Sequence, residues 1–516
     1  MESDASLPDA PERVPSPLGV ALLLGAILAA AACAIVYELL IGSTAAYFLG
    51  DSVEQFSLTI GLFLFAMGVG SWLSRLVERD LLARFVALEI WLGLVGGTAV
   101  ALLYCLFAYT AHFRYGAALL ILAIGTLIGL EVPLLARILR RFGPLRTTLS
   151  SVLSMDYVGS LVASLLFPYL LLPVLGALHA SVVTGMANAG IGAAVLVAFR
   201  ADLGRRTRWL SLQAGGVGLL LAVLLVASGP LVESWESALY VDPIVHSEQS
   251  RYQKIVLTRR GQDVRLYLNG HLQFASVDEH RYHESLVHPA MALAAPTERV
   301  LILGGGDGLA AREVLQYPQV HRVELVDLDP AMTRLGRRHP HLARLNRNAL
   351  NRPEVHIVNE DAFTFLQRDH EPYGVVIIDL PDPREEALTK LYSVEGYRMC
   401  RRLLAPHGML VTQAGSPYFS RRAYWSIAAT LEVAGFHVYP YHVQVPSFGE
   451  WGFHLASAAA VDPRAAEFTV PRRFLDAVTF RAMLRFDVDM ARVDAPPNSL
   501  DRPVLARYYR EDWAAW

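Results

Sequence analysis

Charge is scarce in this chain: Asp, Glu, Lys and Arg make up 18% of its 516 residues, whereas 53% are hydrophobic, and the formal net charge at neutral pH is −3. That balance is wrong for a single soluble domain of this length. No block of basic residues interrupts the sequence, the arginines being spread along it, so nucleic acid is excluded as the main partner. Cysteine is nearly absent. Cys33, Cys105 and Cys400 lie far apart, the first two inside apolar runs, which excludes a disulfide framework and a cysteine zinc site. The sixteen histidines show no metal-ligand spacing, so no metal is expected. Residues 1–17 lack the basic n-region and small-residue cleavage site of a secretory signal, and their polar, acidic, Pro-containing composition predicts a disordered tail. No internal repeat is visible, so an inverted-repeat transporter has no specific support.

What the first half does have is length of apolar run. Stretches of about 20 apolar residues, enough to cross a hydrocarbon core, occur near 18–41, 56–73, 85–109, 115–136, 152–174, 178–199 and 209–227. These predict a bundle of about seven transmembrane helices over 18–228. Gly61, Gly68 and Gly70 in the second run would allow close helix contact. Glu38, Glu89, Glu131 and Asp156 are acids inside these runs. Such groups are either a cation path or interhelical hydrogen-bonding groups, and the second is the commoner case.

After a linker at 229–250 the periodicity changes. Alternating residues over 251–276, with Asn269-Gly270 between two apolar runs, predict a small antiparallel β domain. Over 277–461 short apolar runs alternate with helical segments, the signature of a doubly wound parallel sheet. Val300 to Leu303 run into Gly304-Gly305-Gly306-Asp307-Gly308, and a helix follows. Gly304 and Gly306 let the backbone turn sharply and approach a ligand at the positive end of that helix. About twenty residues on, a second strand ends at Asp327, the spacing at which a carboxylate meets ribose hydroxyls. The third glycine of the dinucleotide fingerprint is replaced by Leu309.

Every strand end on the ligand-binding edge carries acid: Asp307, then Asp327 and Asp329, then Asp361, then Asp379 with Asp382. Single Asp residues cap helices, but a row of them repels itself unless a cation sits there. The implied ligand is a positively charged nucleoside, or a nucleoside beside a polycation. An aliphatic ammonium titrates near 10.4, so a carboxylate must remove its proton before the nitrogen can attack at neutral pH.

Taken together, Tyr252-Gln253, 266–273, Asp278-Glu279, Tyr282-His283-Glu284, the 304–308 turn, Asp327-Leu328-Asp329, Glu360-Asp361 and Asp379-Leu380-Pro381-Asp382-Pro383 resemble the spermidine synthase family of polyamine aminopropyltransferases over about 252–457. The apolar first half is similar to that of the membrane-bound bacterial branch. The resemblance implies a Rossmann-like domain, akin to that of S-adenosylmethionine methyltransferases, behind the small β domain. It also implies transfer of the aminopropyl group of decarboxylated S-adenosylmethionine to putrescine or a related polyamine, giving spermidine and methylthioadenosine. Decarboxylated S-adenosylmethionine is then a co-substrate, with no covalent cofactor and no metal. By position, Gln253, Asp327, Asp361 and Ala362 would hold the nucleoside; His283, Asp307 and Asp382 would contact amines; Asp379 would be the general base; and Tyr282 would orient the attacking nitrogen. The sequence departs from the soluble enzymes at Asn269, where Asp is usual, and at Phe448, where a tyrosine often meets the diamine, so the donor is better defined than the acceptor.

Two rival readings share these features: a methyltransferase on the same fold, and a transporter or sensor whose domain binds without turnover. The expected partners are the polyamine, the lipid bilayer of the cell membrane and, since relatives are often dimers or tetramers, further copies of the chain. Arginines crowd the loops after the second, fourth and sixth runs, which puts the N-terminus in the cytoplasm. Seven crossings would carry the second half outward, away from a cytoplasmic donor, so the sequence leaves its side open. Residues 462–516, with Arg507-Tyr508-Tyr509-Arg510, Trp513 and Trp516, form an extension expected to pack on the domain or the membrane surface.

Overall fold

The computed structural model describes residues 17–49, 52–110, 112–140, 145–384 and 386–513. The chain divides between Val241 and Asp242 into two compact units. The expected disordered tail lies, but for its last residue, outside the described residues, as does Trp516.

Long apolar runs give the first unit long helices, despite their glycines and several internal prolines: α1 Pro17–Leu49, α2 Ser52–Leu73, α3 Leu81–Tyr109, α4 Phe113–Leu139, α5 Leu145–Leu166 with a π-helical continuation Phe167–Leu175, α6 Gly176–Ala198 and α7 Arg206–Leu239. Among the described residues six helical stretches are long and apolar enough to cross a membrane, when Leu149–Ala198 is counted as one stretch of 50 residues. A straight helix of that length would run roughly 75 Å, over twice a hydrocarbon core of about 30 Å. It is folded back on itself. Pro168 and Pro173 lie in the π-helical part, and Gly176 leaves helical geometry at φ 72 and ψ 167. A side chain at Gly159 would strike Leu28 and Ala31 of α1, while Cys33 and Tyr37 of the same helix donate to Thr184 O at 3.9 Å and Asn188 Oδ1 at 2.9 Å. Residues 159 and 184 therefore sit at nearly one height on α1, although a straight helix would part them by about 37 Å.

Glycines set the closest helix crossings. A Cβ on Gly70 would lie 2.1 Å from Thr126 O, one on Gly129 2.1 Å from Met67 O, and one on Gly185 2.5 Å from Gly93 O. Gly61 and Gly68, expected to serve the same end, have nothing within 4 Å of that position; they are off the contact face, because only Gly70 shares a helical stripe with α4. Asn188 of α6 donates to Glu89 Oε2 of α3 at 2.6 Å while accepting from Tyr37 of α1. This bond across three helices is the polar glue expected of an intramembrane side chain. Glu131 of α4 is buried as well, while Glu38 and Asp156 are only partly so.

The second unit opens with four antiparallel strands in sequence order, β1 Ile244–Gln249, β2 Lys254–Arg260, β3 Asp263–Leu268 and β4 His271–Ala275. Asn269 and Gly270 both have positive φ, as an Asn-Gly hairpin requires. The expected linker at 229–250 is corrected here. Helix α7 runs through Pro230 to Leu239, and β1 begins at Ile244. Half of the residues of β1 are exposed, so this edge strand is held by its ladder to β2 and has little apolar signal to reveal it.

Seven further strands, β5 Arg299–Gly304, β6 Arg322–Val326, β7 Val355–Val358, β8 Tyr373–Asp379, β9 Leu404–Gln413, β10 His437–Val445 and β11 Gly449–Ser457, form one sheet in the order β10-β11-β9-β8-β5-β6-β7. β10 and β11 are antiparallel, whereas β9, β8, β5, β6 and β7 run parallel. Helices α8 Glu279–Leu293, α9 Leu309–Val314, α10 Pro330–Arg338, α11 Ala362–Leu366, α12 Val394–Leu403 and α13 Arg421–Val433 accompany the strands. Val300 and Ile302 of β5 pack into a core with Leu286 and Ala290, and Leu301 and Leu303 into another with Tyr397 and Ile427, all of them buried. Each such aliphatic side chain of β5 is worth about 1.5–3 kcal/mol, so the central strand that carries the glycine turn is firmly anchored on both faces.

Residues 462–513 are tied into this unit. The Glu284 carboxylate accepts from the backbone of Arg473, Phe474 and Leu475 at 2.7–2.9 Å. The Asn498 amide donates to Thr389 O and Tyr392 O, and α14, Leu505–Trp513, packs against α13.

Candidate active site

Strand order reverses at β5, which lies between β8 on one side and β6 on the other, and the crevice beyond that point is where open α/β sheets bind ligands. Gly304 pairs with Asp379 across the sheet and has φ +86; a Cβ there would lie 2.1 Å from the Asp379 carbonyl oxygen. Gly305 N donates to that same oxygen at 3.1 Å. Gly306 N donates to Asp327 Oδ2 at 3.0 Å, and its own Cβ would come 2.5 Å from that atom. The glycines thus let the turn fold down between two strand-end carboxylates.

Asp379 accepts a hydrogen bond at Oδ1 from Tyr282 Oη at 2.8 Å. Burial raises its carboxyl above the usual range, against the opposing pull of the His283 charge and the Tyr282 bond. Asp307, which accepts from Leu309 N at 2.8 Å, is pushed to about 6 by burial, with His283 lowering it and Asp379 raising it. His283 is the cation among them. Burial would lower its pKa, but the hydrogen bond and charge of Glu279, followed by Asp307 and Asp379, hold it at about 9. Its Nδ1 lies 2.8 Å from Glu279 Oε2.

Behind this group runs a buried chain of alternating charge that sequence reading missed. Arg312 donates to both oxygens of Glu279 at 2.9 Å and to Glu313 Oε1 at 2.8 Å; His288 Nε2 lies 3.1 Å from Glu313 Oε2, and His288 Nδ1 lies 3.0 Å from Tyr317 Oη. Glu279 is 1% exposed, and its pKa is held at about 2: burial would raise it, but His283 and Arg312 outweigh burial.

The residues expected to hold the nucleoside have equally definite partners. Asp327 accepts from Gly306 N and Asp329 N, yet burial still pushes it to about 6. Gln253 donates to Asp329 Oδ2 at 3.1 Å, beside Ser250 Oγ at 2.6 Å, so its amide nitrogen reaches the neighbour of Asp327 rather than Asp327 itself. Asp361 caps α11 through Phe363 N at 2.8 Å and binds the Lys390 ammonium. Burial would raise its carboxyl, but Lys390 and the helix amide lower it. Ala362 is buried at the head of α11.

Asp382 lies three residues beyond Asp379, is largely but not fully buried, and binds Tyr509 Oη and Arg384. Burial raises its pKa, with Arg384 opposing. Phe448 packs edge-on against Tyr282, ring centroids 6.0 Å apart, and its loop is tied down by Ser447, which donates N–H and O–H to Asp278. The structure therefore gathers Tyr282, His283, Asp307, Asp379, Gly304, Gly306 and Asp327 at one crevice. Gln253, Asp361 and Asp382 join it with partners of their own. Ser250, Lys390, Arg384 and Tyr509 are additions that only the fold reveals.

The family model described as the spermine/spermidine synthase domain matches residues 279–464. The chain is 48% identical to polyamine aminopropyltransferase 1 of Ralstonia nicotianae over 98% of both chains. It is 43% identical to the polyamine aminopropyltransferase of Leptospira interrogans, over 94% of this chain and 97% of that one. With that of Mycobacterium tuberculosis it shares 41% over 96% of each. The crystal structure of spermidine synthase from Thermotoga maritima superposes on 47% of this chain and 84% of its own, with a TM-score of 0.42 at 23% identity.

Proposed function

This chain belongs to the polyamine aminopropyltransferase family, and from that premise we propose that it transfers the aminopropyl group of decarboxylated S-adenosylmethionine to putrescine, with Asp379 as general base. The observation that carries this reading is the carboxylate of Asp379, held by Tyr282 Oη at the strand reversal and raised in pKa by burial. A carboxylate of raised pKa is a better acceptor for an ammonium proton. The amine enters as an ammonium ion, and Asp379 takes its proton. The freed lone pair attacks the aminopropyl methylene bonded to the sulfonium, and a C–N bond forms as the C–S bond breaks. Methylthioadenosine leaves neutral, the positive charge passes from sulfur to the new nitrogen, which is formed already as a secondary ammonium, and the proton taken by Asp379 is released to solvent. Nothing here needs a covalent enzyme intermediate, so the work of the site is alignment. Asp327 and Gly306 suit the ribose and Asp361 with Ala362 the adenine, while Asp307 and His283 border the reacting amine.

Donor choice follows from charge. The carboxylate of ordinary S-adenosylmethionine would lie near Asp307, where like charges about 4 Å apart repel by roughly 4 kcal/mol at an effective dielectric of about 20; the His283 cation offsets part of this. The same reading embeds the first unit in the cell membrane as a multi-pass bundle.

Full-length protein extracted from membranes in detergent, supplied with decarboxylated donor and putrescine, is expected to yield spermidine and methylthioadenosine in equal amounts. Ordinary S-adenosylmethionine should give no transfer. A methylated product would replace this reading by the methyltransferase one, and tight binding of both ligands without product would favour a sensor. Recovery of the intact chain in the soluble fraction would remove the bilayer from the account.

A further inference from the structure

Asp382 is held by a part of the chain beyond the matched domain. Tyr509, on α14, donates its hydroxyl to Asp382 Oδ2. Arg384 reaches the same oxygen at 3.4 Å and Tyr509 Oη at 3.1 Å, its guanidinium 5.0 Å from the centre of the Tyr509 ring and 5.9 Å from that of Trp513. The other terminal nitrogen of Arg384 lies 2.8 Å from His271 Nδ1 at the start of β4. One carboxylate oxygen is thus fully engaged from two directions.

The other oxygen is not. Oδ1 of Asp382 is buried and accepts no hydrogen bond. The Gln413 amide interacts with the carboxylate and lowers its pKa, but its two N–H groups are directed at Leu380 O and Tyr392 Oη, 2.8 Å away in each case, and not at Oδ1. A buried carboxylate oxygen without a donor is costly, and here it belongs to the acid three residues from the base, on the same strand-end loop. Asp carboxylates turn freely about their terminal torsion; fixing one oxygen fixes where the other points.

On the reading of the site as an aminopropyltransferase, we propose that Tyr509 is a positioning residue for the amine acceptor: by holding Oδ2 of Asp382 together with Arg384, it presents Oδ1 to the acceptor ammonium that does not react. The C-terminal extension then takes part in acceptor recognition as well as in stability.

The test is steady-state kinetics on the full-length Tyr509→Phe protein. The expected result is an acceptor KM raised about tenfold, with kcat and the donor KM within about twofold of wild type. An Arg384→Gln protein should show the same split, and it carries the test if the tyrosine variant does not fold. Trp513→Leu, which removes packing but no bond to Asp382, should leave the acceptor KM within about twofold. An unchanged acceptor KM in Tyr509→Phe, a parallel rise in donor KM, or an equal rise in Trp513→Leu would overturn the proposal. Wild-type protein that forms no aminopropyl product would instead sink the functional reading beneath it, a result visible before any variant is made.

Discussion

Asp379→Asn is expected to lower kcat by about a thousandfold or more while leaving the dissociation constant of the donor within about threefold of wild type. The amide matches the carboxylate in shape and can still accept from Tyr282 Oη, so the turn formed by Gly304 and Gly305 on the Asp379 carbonyl is retained. What is lost is the proton acceptor. General bases contribute about 10²–10⁴ in rate, and three decades correspond to roughly 4 kcal/mol of barrier. Single-turnover transfer and equilibrium donor binding, measured on the same preparation, separate chemistry from affinity. A kcat within about tenfold of wild type, roughly 1.4 kcal/mol, would remove Asp379 from the role of base.

Glu279→Gln should cost the second unit more stability than most single changes can. The carboxylate is buried between Arg312 and His283, and removing one partner of a buried ion pair costs about 3–5 kcal/mol because the other charge is left uncompensated. For a unit of this size that is a fall of roughly 6–20 °C in Tm, readable by scanning calorimetry of the full chain in detergent. Its pH dependence has a definite sign. Glu279 is depressed to about 2 from an ordinary value of 4.5, so its contribution is complete above 4.5 and lost as the pH falls toward 2. His283 is raised to about 9 from 6.5, so its contribution is complete below 6.5 and lost as the pH rises toward 9. Both windows should close in the variant. With Glu279 neutral, His283 loses the largest of the interactions that oppose its burial, so its protonated form is less favoured and the counter-charge it offers Asp307 and Asp379 is weakened. A Tm within about 2 °C of wild type would mean that the buried chain of charge is not the scaffold described above.

The parts of the site that could be read from the sequence are those whose chemistry is local. Gly304 and Gly306 announce a turn because few other residues tolerate such backbone contact, and Asp307, Asp327, Asp361 and Asp379 are found by looking where apolar runs end. Charge pairing across the fold leaves no such trace. Arg312 meets Glu279 from 33 positions away, Lys390 meets Asp361 from 29, and Tyr509 meets Asp382 from 127. The cluster of Arg, Tyr and Trp near the C-terminus showed that the extension packs on something, though not on which carboxylate. Strand β1 falls where the sequence predicts a linker, because an edge strand with one exposed face takes its stability from backbone pairing. In the first unit the sequence predicts separate apolar runs at 152–174 and 178–199, and the structure supplies the cause of the break, the fold-back at Gly176.

The central claim is that the site itself deprotonates a bound ammonium acceptor, and the pH dependence of kcat/KM for the amine tests it most directly. If Asp379 removes the proton within the site, kcat/KM should rise on the acid side as the carboxylates of the site ionise, stay nearly level through neutrality, and fall as His283 loses its proton toward about 9 and the free amine loses its own near about 10. If instead kcat/KM climbs about tenfold per pH unit from 7 to about 10, the enzyme is capturing amine already neutral in solution, and the role assigned to Asp379 and the acids around it is contradicted.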